Sequence, residues 1–262
     1  MKNYSLKKDI LAGKRLAGIW AQAPCEEIVE VIGYSGYDFA VVDMEHGCIG
    51  LETAERMVRA SDAVNLPVFV RVLDNQPTMI MKALETGAAG VVVPNVCSVA
   101  DAEKAVKAAK YAPHGTRGAC PFVRSANHNT IPTAEMIAQD GAIIVCLLIE
   151  GTQAFADFDA ILTIPGADCI MLGPVDLSFS LGVGGRLDHP KVKEAIAMMA
   201  KKGKDAGKPV IANIFHPDGA EIRKQAAELY GMGVNAIICN TDKTALIAGM
   251  LAFTEALRQA AK

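Results

Sequence analysis

The sequence predicts an α/β fold, a closed (β/α)8 TIM barrel. Three observations carry that expectation. Eight short apolar runs rich in Val, Ile and Ala alternate with stretches of helical periodicity along 262 residues, a usual length for one such barrel. No Gly-x-Gly-x-x-Gly follows the first run, which argues against an open dinucleotide-binding sheet. Several runs stop abruptly in polar or charged side chains, above all Val41-Val42-Asp43-Met44-Glu45-His46-Gly47. Barrels of this kind keep their chemistry at the C-terminal strand ends. No linker interrupts the pattern, so residues 1–262 are read as one domain.

Residues 5–15 have the pattern of a short amphipathic helix, and Leu16 to Gln22 that of the first strand. A helix through Glu26 to Gly33 precedes the second strand, Tyr37 to Asp43. A helix from Leu51 to Val64 stops at Asn65, and Pro67 to Val72 is the third strand. Pro77 opens a helix that Gly87 closes, and Gly90 to Asn95 is the fourth strand. Ser98, with Asp101 three residues on, reads as the N-cap of a helix over Val99 to Lys110. Ala112 to Pro132 is expected to be irregular, and connections of that length usually carry function. The fifth strand is Ala142 to Ile149, followed by a helix over Gln153 to Leu162. Cys169 to Leu172 is the sixth strand, and a turn-rich stretch over Gly173 to Asp188 follows. Pro190 to Ala206 is a helix and Pro209 to Ile214 the seventh strand. A helix through Ala220 to Gly231, the strand Ala236 to Asn240 and a helix from Thr244 onward complete the pattern.

The totals exclude several classes of function. Formal net charge is -3, so no electrostatic footprint for nucleic acid is present. No apolar run reaches the length of a membrane span, and the N-terminus lacks the apolar core of a signal peptide. The seven cysteines include no CxxC pair and fall mostly in apolar runs. They read as buried thiols of a reducing compartment, so a soluble cytoplasmic protein is expected.

The strand ends define the chemistry. Glu150 and Asp176, at the ends of adjacent strands, are either a pair of metal ligands or two unrelated acids at helix starts. Oxygen-only ligands suit a hard divalent ion, Mg2+ or Mn2+ with Co2+ as a further option. Arg71 in Val70-Arg71-Val72 either binds a substrate carboxylate or pairs with Asp43 or Glu45. His46 is a candidate acid/base of near-neutral pKa, and Glu85 on the following helix is its candidate support. No lysine lies inside an expected strand, where a Schiff-base lysine would be placed, so a metal rather than an imine must hold the electrons. Together these parts describe enolate chemistry on a 2-oxo acid. A Lewis acid stabilises the enolate, and Arg71 with main-chain N–H groups near Gly173 and Asp176 holds the oxygens. Gly182-Val183-Gly184-Gly185 is weaker: it is a phosphate loop or a flexible turn.

At these residues the chain resembles the HpcH/HpaI aldolase family, metal-dependent class II pyruvate aldolases of the 2,4-dihydroxyhept-2-ene-1,7-dioate and 2-dehydro-3-deoxyglucarate aldolase type. The markers are Tyr37 through Gly47, Val70-Arg71-Val72, Gly90 through Pro94, Tyr111 through Gly118, Ile149-Glu150, and Gly173-Pro174-Val175-Asp176-Leu177-Ser178. The resemblance implies a barrel of the phosphoenolpyruvate/pyruvate type and a carbon–carbon lyase. Such an enzyme cleaves a 4-hydroxy-2-oxo acid to pyruvate, or a related 2-oxo acid, and an aldehyde. It implies that Glu150 and Asp176 ligate the metal, that Arg71 binds the substrate with Gly173 and Pro174, and that His46 is the acid/base supported by Glu85. Asp43 would lie near the acceptor aldehyde. It also implies a homohexamer in which the C-terminal helix packs on a neighbouring subunit. One departure stands out: Leu148 occupies a position where many members carry glutamine. With Arg124, which could bind a second anionic group, Leu148 motivates an alternative. That alternative is a condensing (citrate-synthase-like) or decarboxylating enzyme acting on oxaloacetate or a CoA thioester at the same metal site. Cys120 is open between a contact and plain packing.

Overall fold

The computed structural model describes residues 5–261. Eight strands pair in sequence order and all run parallel: β1 (Leu16–Ala21), β2 (Phe39–Asp43), β3 (Val68–Arg71), β4 (Gly90–Val96), β5 (Ile144–Ile149), β6 (Cys169–Leu172), β7 (Val210–Ile214) and β8 (Ala236–Thr241). β8 closes on β1, so the sheet is a barrel without edges. The helices are α1 (Leu6–Leu11), α2 (Glu26–Tyr34), α3 (Leu51–Ala63), α4 (Pro77–Glu85), α5 (Val99–Ala109), α6 (Thr133–Ala138), α7 (Thr152–Ala156), α8 (Phe158–Leu162), α9 (Pro174–Ser180), α10 (Pro190–Asp205), α11 (Gly219–Met232) and α12 (Asp242–Ala260).

Strand side chains alternate between two environments. Phe39, Val41, Phe69, Val92, Cys146, Leu148, Met171, Ile211 and Ile238 fill the barrel interior. The intervening residues, such as Ala40, Val42, Val70, Val91, Val145 and Ile170, pack outward against the helices. Leu6 and Ile10 of α1 join the interior cluster and plug its N-terminal end. Because the period is two, the interior line that runs through Val41 continues to Asp43. The line through Phe69 reaches Arg71, that through Leu148 reaches Glu150, that through Met171 reaches Gly173, and that through Ile211 reaches Asn213. Parity alone therefore carries the polar strand ends into one mouth. Register completes the placement: Asp43 lies beside Arg71 in the β2–β3 pair, and Ile149 beside Leu172 in the β5–β6 pair.

Four expectations are corrected in detail. The irregular segment Ala112 to Pro132 holds a 3-10 helix, Arg124–Asn129, in which Asn127 and His128 adopt left-handed backbone angles. A further 3-10 turn, Gln139–Gly141, delays β5 to Ile144. The stretch Gly173 to Asp188 opens as a helix, α9. With Pro174 at its first turn and only seven residues, α9 is too short to show periodicity. The helix over Gln153 to Leu162 is broken at Asp157 into α7 and α8. The last residue of the expected final helix, Lys262, lies outside the described residues.

Candidate active site

Arg71 is the hub of the mouth. Its Nε donates to Asp43 Oδ1 at 2.8 Å and its Nη2 to Asp43 Oδ2 at 2.6 Å, a bidentate pair in which Asp43 is fully buried. Its plane lies over the Trp20 ring, with Cζ 4.3 Å from the centroid. Trp20 is fixed in turn by its Nε1, which donates to Asn213 Oδ1 at 2.8 Å. Asp43 also accepts from Gln22 Nε2 at 2.8 Å and from the backbone N–H groups of Glu45 and His46. Burial by itself would push the Asp43 carboxyl up. The Arg71 hydrogen bonds and charge, with Gln22 and the His46 N–H, overcome burial and hold the carboxyl below its ordinary value.

Arg71 keeps one hydrogen on each terminal nitrogen beyond those directed at Asp43 and Glu45. Glu45 Oε2 stands 3.0 Å from Arg71 Nη1, an ion pair whose geometry falls short of a hydrogen bond, so this buried oxygen lacks a donor. The same oxygen is 4.0 Å from His46 Nε2. Burial raises the Glu45 carboxyl, and the negative charges of Asp43, Asp176 and Asp74 add to that rise against the pull of Arg71. The His46 side chain is 66% exposed and forms part of the cleft wall, where it can meet a substrate hydroxyl.

Glu150 and Gly173 follow the paired ends of β5 and β6. Within the irregular end of β4, Asn95 adopts a left-handed conformation, φ 58°, and its N–H donates to Glu150 Oε2 at 2.9 Å. Burial pushes the Glu150 carboxyl up to about 7. The Asn95 N–H opposes that rise, while Asp176 and Glu45 reinforce it. Gly173 explains how the second acid fits. A Cβ there would stand 3.4 Å from Leu148 Cδ1, 3.6 Å from Asp176 Oδ2 and 3.9 Å from Glu150 Oε1. The missing methyl thus leaves one small space that both carboxylates border.

Trp20, His46, Arg71, Gly173 and Asp176 line a cleft of about 220 Å3, with Gln22, Leu148, Pro174, Phe215 and Thr241 among its other walls, and Glu150 stands beside it next to Gly173. Asp43, His46, Arg71, Leu148, Glu150, Gly173, Pro174 and Asp176 are therefore brought to one mouth. Three expectations for single residues change. Asp43 is buried and bonded to Arg71, so any part it has near an acceptor is exerted through that guanidinium. Glu85 lies in the last turn of α4, which runs from the mouth back to the opposite end of the barrel, and it pairs with Lys82 at 2.7 Å. It does not support His46 within one chain; Glu45 is the acid beside that ring. Arg124 also lies at the far end, bound to the Asp62 carboxylate and the Thr86 carbonyl, and its guanidinium is engaged away from the cleft. Sequence reading missed Trp20 and Phe215, and it had Asn213 only as the polar end of the seventh strand. The single tryptophan of the chain, at a strand end, was the available signal for the first.

Among the described residues no set of three or more His, Cys, Asp or Glu side chains could hold a metal ion alone. Glu150 and Asp176 offer two oxygen donors over a shared space, and a hard divalent ion with external oxygens is compatible with that set. No helix among the described residues is long and apolar enough to cross a membrane.

Comparison with known proteins bears on the family and the fold. The family model described as HpcH/HpaI aldolase/citrate lyase matches residues 16–241. A pyruvate aldolase of Rhizobium etli is 32% identical over 212 residues, covering 81% of this chain and 82% of that protein. The crystal structure of an HpcH/HpaI aldolase from Desulfitobacterium hafniense superposes with a TM-score of 0.87 at 26% identity, covering 97% of this chain and 96% of that one. The citrate synthase SbnG superposes with a TM-score of 0.84 at 29% identity, covering 98% of each chain.

Proposed function

The chain belongs to the HpcH/HpaI aldolase/citrate lyase family and is a carbon–carbon lyase, and from that premise we propose divalent-metal-dependent aldol cleavage and condensation of a 4-hydroxy-2-oxo acid at the mouth of β2, β3, β5 and β6. The observation that carries this reading is the shared space at Gly173, bordered by Glu150 and Asp176 and facing the Arg71 hub. Mg2+ or Mn2+ held by Glu150 and Asp176 would supply Lewis-acid stabilisation of the negative charge that develops on the 2-oxo oxygen.

The chain's own residues do the rest. Arg71, clamped by Asp43 and Trp20, presents its remaining Nη hydrogens to the substrate carboxylate. In cleavage His46 takes the proton of the C4 hydroxyl, the C3–C4 bond breaks, and its electron pair moves into the 2-oxo group as an enolate. Protonation at C3 then yields pyruvate, and the aldehyde leaves. Glu45 stands beside the imidazole, its Oε2 4.0 Å from His46 Nε2. Condensation runs the same steps backward. His46→Ala is expected to lower kcat by about a hundred- to ten-thousand-fold, measured as pyruvate release coupled to lactate dehydrogenase. Turnover unchanged by that substitution would remove His46 from the role.

Leu148 on the cleft wall favours a second reading. An apolar wall in place of an amide beside the keto acid, together with the likeness to a citrate synthase, is compatible with condensation onto oxaloacetate. Product formation from oxaloacetate and an acyl donor, without retro-aldol turnover, would select this alternative. The seven free thiols suit a reducing compartment, and we place the protein in the cytoplasm.

A further inference from the structure

Beyond the cleft lies a second cavity of about 260 Å3 between α10 and α11. It shares Pro174, Asn213 and Phe215 with the catalytic cleft, so the two spaces stand against one common wall. None of the residues of α11 is fully buried, although Leu229 and Met232 pack against the core beside the cavity. Ligand pockets usually measure about 300 Å3 or more. Each space alone falls below that range, and only the two together reach it.

The chemistry of the second cavity is mixed. Ile196, Leu229 and Met232 give it an apolar floor. Its rim carries both signs, with Asp188 ahead of α10, Lys193 from α10 and Glu221, Lys224 and Glu228 from α11. Lys224 is held only loosely, 3.7 Å from Glu221. Such a rim offers donors and acceptors in turn and carries no excess of positive charge, so it does not select an anion. Hydroxyl groups, which donate and accept at once, match it on both counts, while the C–H side of the same chain covers the apolar floor. Phe215, 43% exposed at the end of β7, stands where a chain leaving the cleft would cross into this space.

We propose that the α10–α11 cavity is a specificity subsite for the distal, hydroxylated chain of the acceptor aldehyde. The assignment rests on the aldol reading above and extends it to a substrate class: acceptors derived from sugars, with several hydroxylated carbons beyond the reacting carbonyl. Short aldehydes fill the cleft alone and gain nothing from the subsite.

The test measures kcat/KM for condensation of pyruvate with glycolaldehyde, glyceraldehyde and erythrose in the Mg2+- or Mn2+-loaded enzyme. Wild type is expected to prefer erythrose to glycolaldehyde by at least tenfold. Gln225→Trp, which adds bulk to a lining residue of the cavity, is expected to erase that preference and leave glycolaldehyde turnover unchanged. The exposed double variant Lys224→Ala/Glu228→Ala should reduce the preference without touching the core. A preference kept in both variants, or no preference in wild type, would overturn the subsite. Exchange of the pyruvate methyl protons with deuterated solvent needs no acceptor and separates the two levels of the reading. Exchange with an unaltered acceptor profile removes the subsite alone; absence of exchange removes the aldol reading and the subsite with it.

Discussion

At Arg71 two carboxylates share one guanidinium, with Asp43 bonded to Nε and Nη2 and Glu45 against Nη1. Removing a partner from such a buried pair leaves an uncompensated charge. Asp43→Ala is therefore expected to destabilise the protein by about 3–5 kcal/mol, read by chemical denaturation; a loss under about 1 kcal/mol would show that Asp43 does not anchor Arg71. Glu150 behaves in the opposite sense, because its carboxyl is raised from 4.5 to about 7. Between those two values the folded state holds a proton that the unfolded chain has released. Its contribution is present at the low end of the window and is lost as the pH rises through about 7. The melting temperature of the metal-free protein should therefore fall across that window, and Glu150→Gln should flatten the fall. An identical slope in the variant would contradict the assignment of that proton to Glu150.

At the scale of elements, the junction of β6 with α9 decides whether the two acids share a space. Gly173 has ordinary backbone angles, φ -88°, and a methyl there would make only normal van der Waals contacts. Gly173→Ala is expected to fold with an unchanged melting temperature, yet the methyl would stand between Glu150 and Asp176. Divalent-ion affinity, measured by calorimetry, should fall by at least tenfold, and undiminished affinity would place the ion elsewhere. The strands and their charged ends were legible in the sequence, because a period of two and an abrupt change from Val to Asp or Glu are local signals. Trp20 was not legible as the partner of Arg71, nor Asn213 as the partner of Trp20: the latter contact crosses the barrel between β1 and β7, and pairing across a closed sheet leaves no mark on spacing. Glu85 and Arg124 misled for a related reason. Charged residues near a strand end in sequence can be carried to the far end of the barrel by the helix or excursion that follows, as α4 and the segment after α5 do here.

At the scale of the whole molecule, α12 presents Leu246, Ile247, Met250, Leu251, Phe253 and Leu257 at 43% to 73% exposure. A face of that size and apolarity fits contact with another copy of the chain, and we propose that the protein assembles through it, as the family resemblance implies. Light scattering should give an oligomer for the wild type and smaller species for Phe253→Asp/Leu257→Asp; a monomeric wild type would refute that assembly. The central claim is that Glu150 and Asp176 hold the divalent ion on which enolate chemistry depends. Its most direct measurement is the exchange of pyruvate methyl protons with deuterated solvent, followed by NMR with and without Mg2+ or Mn2+. The account predicts exchange that stops on chelation, returns with either ion, and is lost in Glu150→Gln and in Asp176→Asn. Exchange that continues at full rate after exhaustive chelation, or in those two variants, would contradict it.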